Sequence, residues 1–431
     1  MNKIELKGLD TSVYTETLDN GLQIFVVPNE NVNKVYVTYS TKLGSVYDEF
    51  VPKGEKEFVK VPLGVAHFLE HKVFEQEDGT DPFEFFSSHG ASANANTSNY
   101  KTTYLFQTTE DIKENLEYLM HYVESPYFTD ENVEKEKGII EQELLMYEDD
   151  PYNVLYEMTL KNAFVRHPMK YSVGGTVESI RKITKEDLYT CYRTFYHPTH
   201  MFMVITGNVK PEEMISIVRE YQEKRHLKKE QPVKIRLVDE PDEVSKKQEE
   251  RTMEVSIPKV TVAYKMRLDS FPNLSLHDLK TYIGELISFQ FDDTSLYVEE
   301  LKKKGIIDDS FGIHLIYTDK HALMMISSET YFVNEVIKAI DKGVKQISIT
   351  EEEVERMKKV LLSSQIYMSD NIYRMNNKIM RDMIDDGELN DHRTEEIKAL
   401  NIDDMKKVLE ALNFEHRTVN VIQVPTKNKN K

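Results

Sequence analysis

Residues Val65-Ala66-His67-Phe68-Leu69-Glu70-His71-Lys72-Val73-Phe74 place two histidines four apart, with a glutamate between them. Positions three and four apart on an α-helix share a face, so His67, Glu70, His71 and Phe74 project the same way. Val65, Phe68, Leu69 and Val73 make the remainder apolar, and the spacing predicts a buried helix over about 64–74. Polar groups on a buried stripe are costly unless they are partnered. A zinc ion meets that need: two neutral imidazoles ligate it and the carboxylate stays free as a base.

Two histidines are only two ligands, and a catalytic zinc site generally uses three protein ligands plus water. The helix expected from about Glu131 to Tyr147, with Asp130 as its N-cap, offers Glu136 and Glu143 two turns apart on one face. Ile139, Ile140 and Leu144 give this helix a buried side. Either carboxylate could face the histidines, and spacing alone does not choose. The bland alternatives are a buried histidine pair held only by hydrogen bonds, and solvated carboxylates on a charge-rich helix. In the metal reading, Glu70 takes a proton from the activated water and returns it to the leaving amine.

The 431 residues exceed the usual size of a single core, so two domains are expected. Lys+Arg 55 against Asp+Glu 74 leaves a net charge of −19, which argues against nucleic acid and anionic membranes as partners. The single cysteine, Cys191, rules out an intrachain disulfide and fits a reducing compartment. The N-terminal residues lack the apolar core of a signal peptide and no run is long enough to span a membrane, so a cytoplasmic location is expected.

Asp19-Asn20-Gly21 marks a turn between two short strands, and Val35 to Ser40 is expected to pair with the second of them. A short helix is expected over Pro82 to Ser88, and strands near Tyr100 to Thr108 and Met201 to Thr206. Residues 223–251, rich in Lys, Glu, Gln and Asp, read as a charged linker between a domain at 1–222 and another at 252–431. The second half repeats the element order of the first at an offset of about 220 residues, which suggests an internal duplication. At that offset His67, Glu70 and His71 become Ile287, Gln290 and Phe291, so the repeat lacks the metal stripe.

Together these residues resemble the inverted zinc-binding peptidases of the pitrilysin, insulinase and mitochondrial processing peptidase family, in a half-length bacterial insulinase-like form. The resemblance rests on His67 to His71, Glu136 to Glu143, Gly90 to Thr97, His167-Pro168, Gly174 to Ile180 and Tyr196-His197-Pro198. It implies an α+β fold: two similar domains from an internal duplication, each a mainly antiparallel sheet covered by helices, forming one half of a clamshell. It assigns Glu143 as third zinc ligand and Glu136 as an auxiliary acidic residue, catalytic in the broad sense. It implies that Ala93, Asn94 and Ala95 form an edge strand that captures substrate peptide by main-chain pairing. Active members usually carry an Arg and a Tyr in the second domain that help hold substrate. Here Ser295 falls where the Arg is expected and Asp308 near the Tyr.

The function expected is therefore a zinc metalloendopeptidase acting on peptides inside a chamber of two subunits. The partner would be a second copy or a related subunit able to supply the Arg and Tyr. The alternative is a weak or non-catalytic peptide-holding subunit. A cysteine-liganded metal lyase with the same histidine motif is a third reading, which needs Cys191 at the metal.

Overall fold

The computed structural model describes residues 1–268, 271 and 274–425. They form two compact units: Met1–Leu144, Ser172–Leu237 and Leu362–Glu395 make the first; Leu145–Tyr171, Val238–Leu361 and Glu396–Lys431 make the second.

The first unit is built on a seven-stranded sheet. Its strands are β1 (Asn2–Glu5), β2 (Ser12–Thr17), β3 (Gln23–Pro28), β4 (Val35–Thr41), β5 (Ala91–Thr97), β6 (Thr102–Thr108) and β7 (Met201–Gly207). Their spatial order is β1-β2-β3-β7-β4-β6-β5. All neighbours are antiparallel except β3 and β7. The turn at Asn20-Gly21 joins β2 to β3 as expected, but β4 does not pair with β3. β7 inserts between them, parallel to β3 and antiparallel to β4. All seven residues of β7 are buried, as a strand with neighbours on both sides and layers on both faces should be.

Alternation along the central strands divides the core. Ile24, Val26, Met203 and Ile205 point to one face, where they meet helix α1 (Val65–Val73) and helix α3 (Ile112–Val123). Phe25, Val27, Phe202 and Val204 point to the other, where Met375, Ile379 and Met383 of the helix Ile372–Asp385 cover them. Helix α2 (Pro82–Ser88) begins under an Asp81 cap, with Pro82 in its first turn, and helix α4 spans Asp130–Glu148. The cap of α4 is Thr129 rather than Asp130: Thr129 Oγ1 accepts from Asn132 N at 3.1 Å, and Asn132 Oδ1 accepts from Thr129 N at 2.9 Å.

The second unit has a five-stranded sheet of β8 (Gln248–Thr252), β9 (Lys259–Arg267), β10 (Gly312–Tyr317), β11 (His321–Glu329) and β12 (Arg417–Gln423), in the order β8-β12-β9-β11-β10. It is again antiparallel except for one parallel pair, β8 with β12. One face packs on the helices Leu276–Phe291 and Val333–Val344; the other receives Leu155 and Met158 of helix α5 (Pro151–Ala163). The 19-residue helix Glu351–Ser369 repeats the 19 residues of α4, in line with a duplication. Ile287 and Phe291, at the positions that match His67 and His71, are fully buried.

The two units interleave along the chain, unlike a linear division at 1–222 and 252–431. Each sheet has two apolar faces, and one of them is covered by a helix from a distant segment. The charged stretch 223–251 also does more than link: Gln248–Thr252 is β8, and Glu240 is buried. Glu240 accepts from the backbone N–H groups of Val165, Arg166 and His167 at 2.8, 2.7 and 2.7 Å, and pairs with the fully buried Lys265. Burial opposes its ionisation, but these donors outweigh burial and hold its carboxyl below the usual range. Among the described residues no helix is long and apolar enough to cross a membrane.

Removing one member of a buried ion pair strands the other. Lys265→Met should therefore destabilise the protein by about 3–5 kcal/mol in denaturant unfolding. Adding Glu240→Gln, whose one amide oxygen can still accept from Arg166 and His167, should recover part of that loss by removing the stranded charge.

Candidate metal centre

Helix α1 starts at Gly64, whose φ of 85° lies in the left-handed region. A Cβ there would fall 2.3 Å from the Gly174 carbonyl oxygen, so both the conformation and the space require glycine. Val65, Ala66, Phe68, Leu69 and Val73 fix the helix to the core. The stripe with His67 and His71 is left partly open, with side chains 15% and 27% exposed.

α4 is positioned by Val133, Ile140 and Leu144, which are buried. Both of its candidate carboxylates face the histidines, but at different atoms. Glu143 lies 3.8 Å from His67 Nε2 and 3.6 Å from His71 Nε2. Glu136 Oε1 lies 3.0 Å from His71 Nδ1. His67, His71 and Glu143 thus converge, one ligand atom from each, all within 4.8 Å of one another. Tetrahedral zinc with bonds of 2.0–2.2 Å sets its ligand atoms about 3.4 Å apart, a spacing close to the 3.6 and 3.8 Å between Glu143 and the two Nε2 atoms.

Glu136 stands outside this group and acts on it. Donation from His71 Nδ1–H to Glu136 leaves the Nε2 lone pair facing the centre. His67 Nδ1 is buried without a hydrogen-bond partner among the described residues, close to Gly174. An orphaned buried polar atom costs about 1–3 kcal/mol. A ligand on Nε2 would put the imidazole proton on that orphaned atom, so the observed arrangement accepts a penalty in order to present Nε2.

The charges are strongly coupled. Burial, reinforced by the neighbouring His71, pushes His67 down to about 4. Burial acts the same way on His71, but the hydrogen bond and charge of Glu136, with Glu143, outweigh it and raise that imidazole above its usual value. Glu136 is desolvated too, yet His71 holds it below the ordinary carboxylate range. Glu70 is raised by burial, against a hydrogen bond from Thr97. The imidazole rings sit 4.6 Å apart, so a second proton on the pair is disfavoured.

Glu70 shares its face of α1 with His67 and His71, feels the charges of His71 and Glu143, and is 9% exposed. Its Oε2 accepts from Thr97 Oγ1 at 2.5 Å. Thr97 ends β5, the strand carrying Ala93, Asn94 and Ala95. Among the described residues that strand pairs only with β6, and it forms the edge of its sheet. Ala93 and Ala95 pack against the core, while Asn94 is exposed and its Oδ1 accepts from Ala95 N at 2.8 Å. The spacing-based reading gave Thr97 no role. Its only signal was membership of the small polar stretch, two residues beyond Ala95 on the same face.

Ser295 and Asp308 both serve local turns. Ser295 caps the helix Leu296–Lys303, accepting from Val298 N at 3.1 Å, and Asp308 accepts from Ser310 N at 2.8 Å. Cys191 is fully buried in the helix Lys185–Phe195 and burial pushes its thiol up, as for a small core residue. The candidate ligand group among the described residues contains no cysteine.

Residues 51–177 match the family model "Insulinase (Peptidase family M16)", and residues 182–361 match "Peptidase M16 inactive domain". The uncharacterized zinc protease YmfH of Bacillus subtilis is 44% identical over 311 residues, covering 72% of each chain. The uncharacterized zinc protease ML0855 of Mycobacterium leprae is 29% identical over 176 residues, 40% of each chain. The structure of an M16-like peptidase from Alicyclobacillus acidocaldarius superposes with a TM-score of 0.90 at 27% identity, over 97% of this chain and all of that one. Pitrilysin shares the fold, with a TM-score of 0.74 at 17% identity. There, 99% of this chain corresponds to 46% of the longer protein. Family models over both halves, and a relative this similar over this length, place the chain in the peptidase M16 family.

Proposed function

We propose that this chain is a zinc metalloendopeptidase that hydrolyses peptides or short unfolded segments in a chamber formed with a second subunit. The observation that carries this reading is the convergence of His67 Nε2, His71 Nε2 and Glu143 beside the otherwise unassigned carboxylate of Glu70. Those three residues would hold the ion, which would polarise the scissile carbonyl and make a water molecule acidic enough to attack it.

The chain's own residues do the rest. Glu70 takes a proton from the attacking water and delivers it to the leaving amine; a carboxyl raised by burial suits both halves of that transfer. Glu136 keeps the proton of His71 on Nδ1, so that Nε2 stays available. The outer edge of β5 at Ala93, Asn94 and Ala95 offers main-chain groups to an extended peptide.

A second subunit is part of the proposal because this chain corresponds to less than half of pitrilysin. Ser295 and Asp308 are also committed to local turns and do not provide the substrate-holding Arg and Tyr expected in the second domain. The partner is a second copy or a related half-length subunit. A cytoplasmic location fits the single buried cysteine. The runner-up is a peptide-holding subunit without turnover of its own.

Glu70→Gln should bind one equivalent of zinc and lose roughly 10²–10⁴-fold in kcat on a quenched unstructured peptide, assayed with the chain alone and with a related half-length subunit. Wild-type turnover that survives Glu70→Gln would overturn the base assignment, and zinc-loaded wild type inactive in every mixture would favour the runner-up. The two acidic residues of α4 should separate in chelator competition. Glu143→Gln should abolish stoichiometric zinc, whereas Glu136→Gln should weaken zinc about 10–100-fold and leave it bound at saturation.

A further inference from the structure

We infer that Thr97 is a positioning residue for Glu70, and that it ties the proton-transfer carboxylate to the strand edge on which a peptide would lie. This inference rests on the reading of Glu70 as the base. The hydrogen-bond pattern carries it. A carboxylate only accepts, so the 2.5 Å contact is Thr97 Oγ1–H donating to Glu70 Oε2. Thr97 Oγ1 also lies 3.2 Å from Thr102 Oγ1, its partner across the β5–β6 ladder. Thr102 sends its own proton elsewhere, to the Leu43 carbonyl at 2.9 Å. Thr102 can then only accept from Thr97, and the single Thr97 proton goes to the shorter contact and the charged acceptor, Glu70. The Thr97 backbone N–H also favours the ionised carboxylate. Among the described residues no other side chain donates to Glu70.

The surroundings explain why one hydroxyl matters so much here. The charge of Glu70 is felt by Tyr104, Tyr122 and Tyr196, all fully or nearly fully buried. Tyr104 and Tyr196 bond to each other through their hydroxyls at 2.8 Å, and neither makes a hydrogen bond to Glu70. Without Thr97 the carboxylate could rotate about its terminal torsion, which has broad wells. With Oε2 held, Oε1 is the oxygen left to face the converging ligands.

The same bond sets a distance to substrate. Thr97 and Ala95 are on one face of β5, and the strand alternates strictly through Ala91, Ala93, Ala95 and Thr97. A peptide paired to the outer edge of β5 takes its register from that backbone. Glu70 is pinned to the same backbone through Thr97, so the peptide carbonyl and the base are located by one element rather than by two. A base held this way serves a bound strand in one register, which is the kind of positioning that a small displacement degrades.

The test uses isosteric removal with a readout that needs no turnover. Acetohydroxamate binds a metal centre as an anion and passes its proton to a neighbouring carboxylate. Its affinity for the cobalt-substituted full chain, read from the visible d–d band, therefore reports how that carboxylate is placed. Thr97→Val keeps the shape and removes the hydroxyl; Thr97→Ala is made beside it so that bulk does not decide the outcome; Thr97→Ser restores the hydroxyl. The expected result is unchanged metal content in all variants. Acetohydroxamate should bind about tenfold more weakly to Thr97→Val and Thr97→Ala, and Thr97→Ser should lie close to wild type. On a quenched peptide, the same two variants should lose kcat with KM unchanged. If Thr97→Val and Thr97→Ala bind the probe like wild type while Glu70→Gln is weakened, the inference fails and the base assignment stands. Equal impairment of Thr97→Ser and Thr97→Val would also overturn it, since the hydroxyl would not be responsible. A Glu70→Gln protein indistinguishable from wild type would remove both the base assignment and the inference.

Discussion

The site depends on how closely α1 can approach the loop that carries Gly174. A Cβ on Gly174 would lie 2.9 Å from Leu144 Cδ2 and 3.6 Å from His67 Nδ1, and a Cβ on Gly64 would strike the Gly174 carbonyl. One bare stretch of backbone thus touches the start of α1, the first histidine and the residue next to Glu143. α1 has nine residues and a single polar stripe, so it can present two ligands and a base but no more. In the proposed site the third ligand comes from α4, whose Leu144 packs close to that loop. The glycine is a packing requirement whose consequence is chemical.

Charge balance then explains why the assembled groups want a cation. Glu70, Glu136 and Glu143 face two imidazoles, one of which is driven strongly toward the neutral form. The cluster therefore carries excess negative charge in a partly desolvated place, where such charge is expensive. Glu136 finds its counterpart in His71 and Glu70 finds a donor in Thr97. Glu143 lies 3.8 and 3.6 Å from the Nε2 atoms of His67 and His71. In the proposed reading, a divalent ion held by His67, His71 and Glu143 would answer that charge.

How much of this could be read from the sequence follows from which distances the chain makes local. His67, Glu70 and His71 were legible because helical spacing fixes their relations within one turn. The choice between Glu136 and Glu143 was not, because both face the same way on α4. What separates them is whether each meets Nδ1 or Nε2, a matter of a few ångströms across a helix pair. The edge strand at Ala93 to Ala95 was legible through the family resemblance, while the bond from Thr97 to Glu70 joins residues from a strand and a helix and leaves no periodic trace. The strand order misled for a related reason. β4 follows β3 in sequence and alternates suitably, but β7, from 160 residues beyond β4 (201 − 41), has the more uniformly apolar sequence and takes the centre. The helix Ile372–Asp385 escaped because its partner, the outer face of the first sheet, belongs to the opposite end of the chain.

The duplicated half shows what the stripe costs. Its sheet keeps the same pattern of one parallel and otherwise antiparallel pairs, and its long helices keep their lengths. Where the first half has His67 and His71, however, it has Ile287 and Phe291, sealed into the core. Burying those two side chains contributes about 1.5–3 kcal/mol each, without the desolvation or the orphaned nitrogen that the histidines impose. Free of any ion to hold, this fold does better with an apolar stripe. The polar stripe of α1 runs against that preference, and Gly64, Gly174, Glu136 and Thr97 are the residues that pack against it or bond to it.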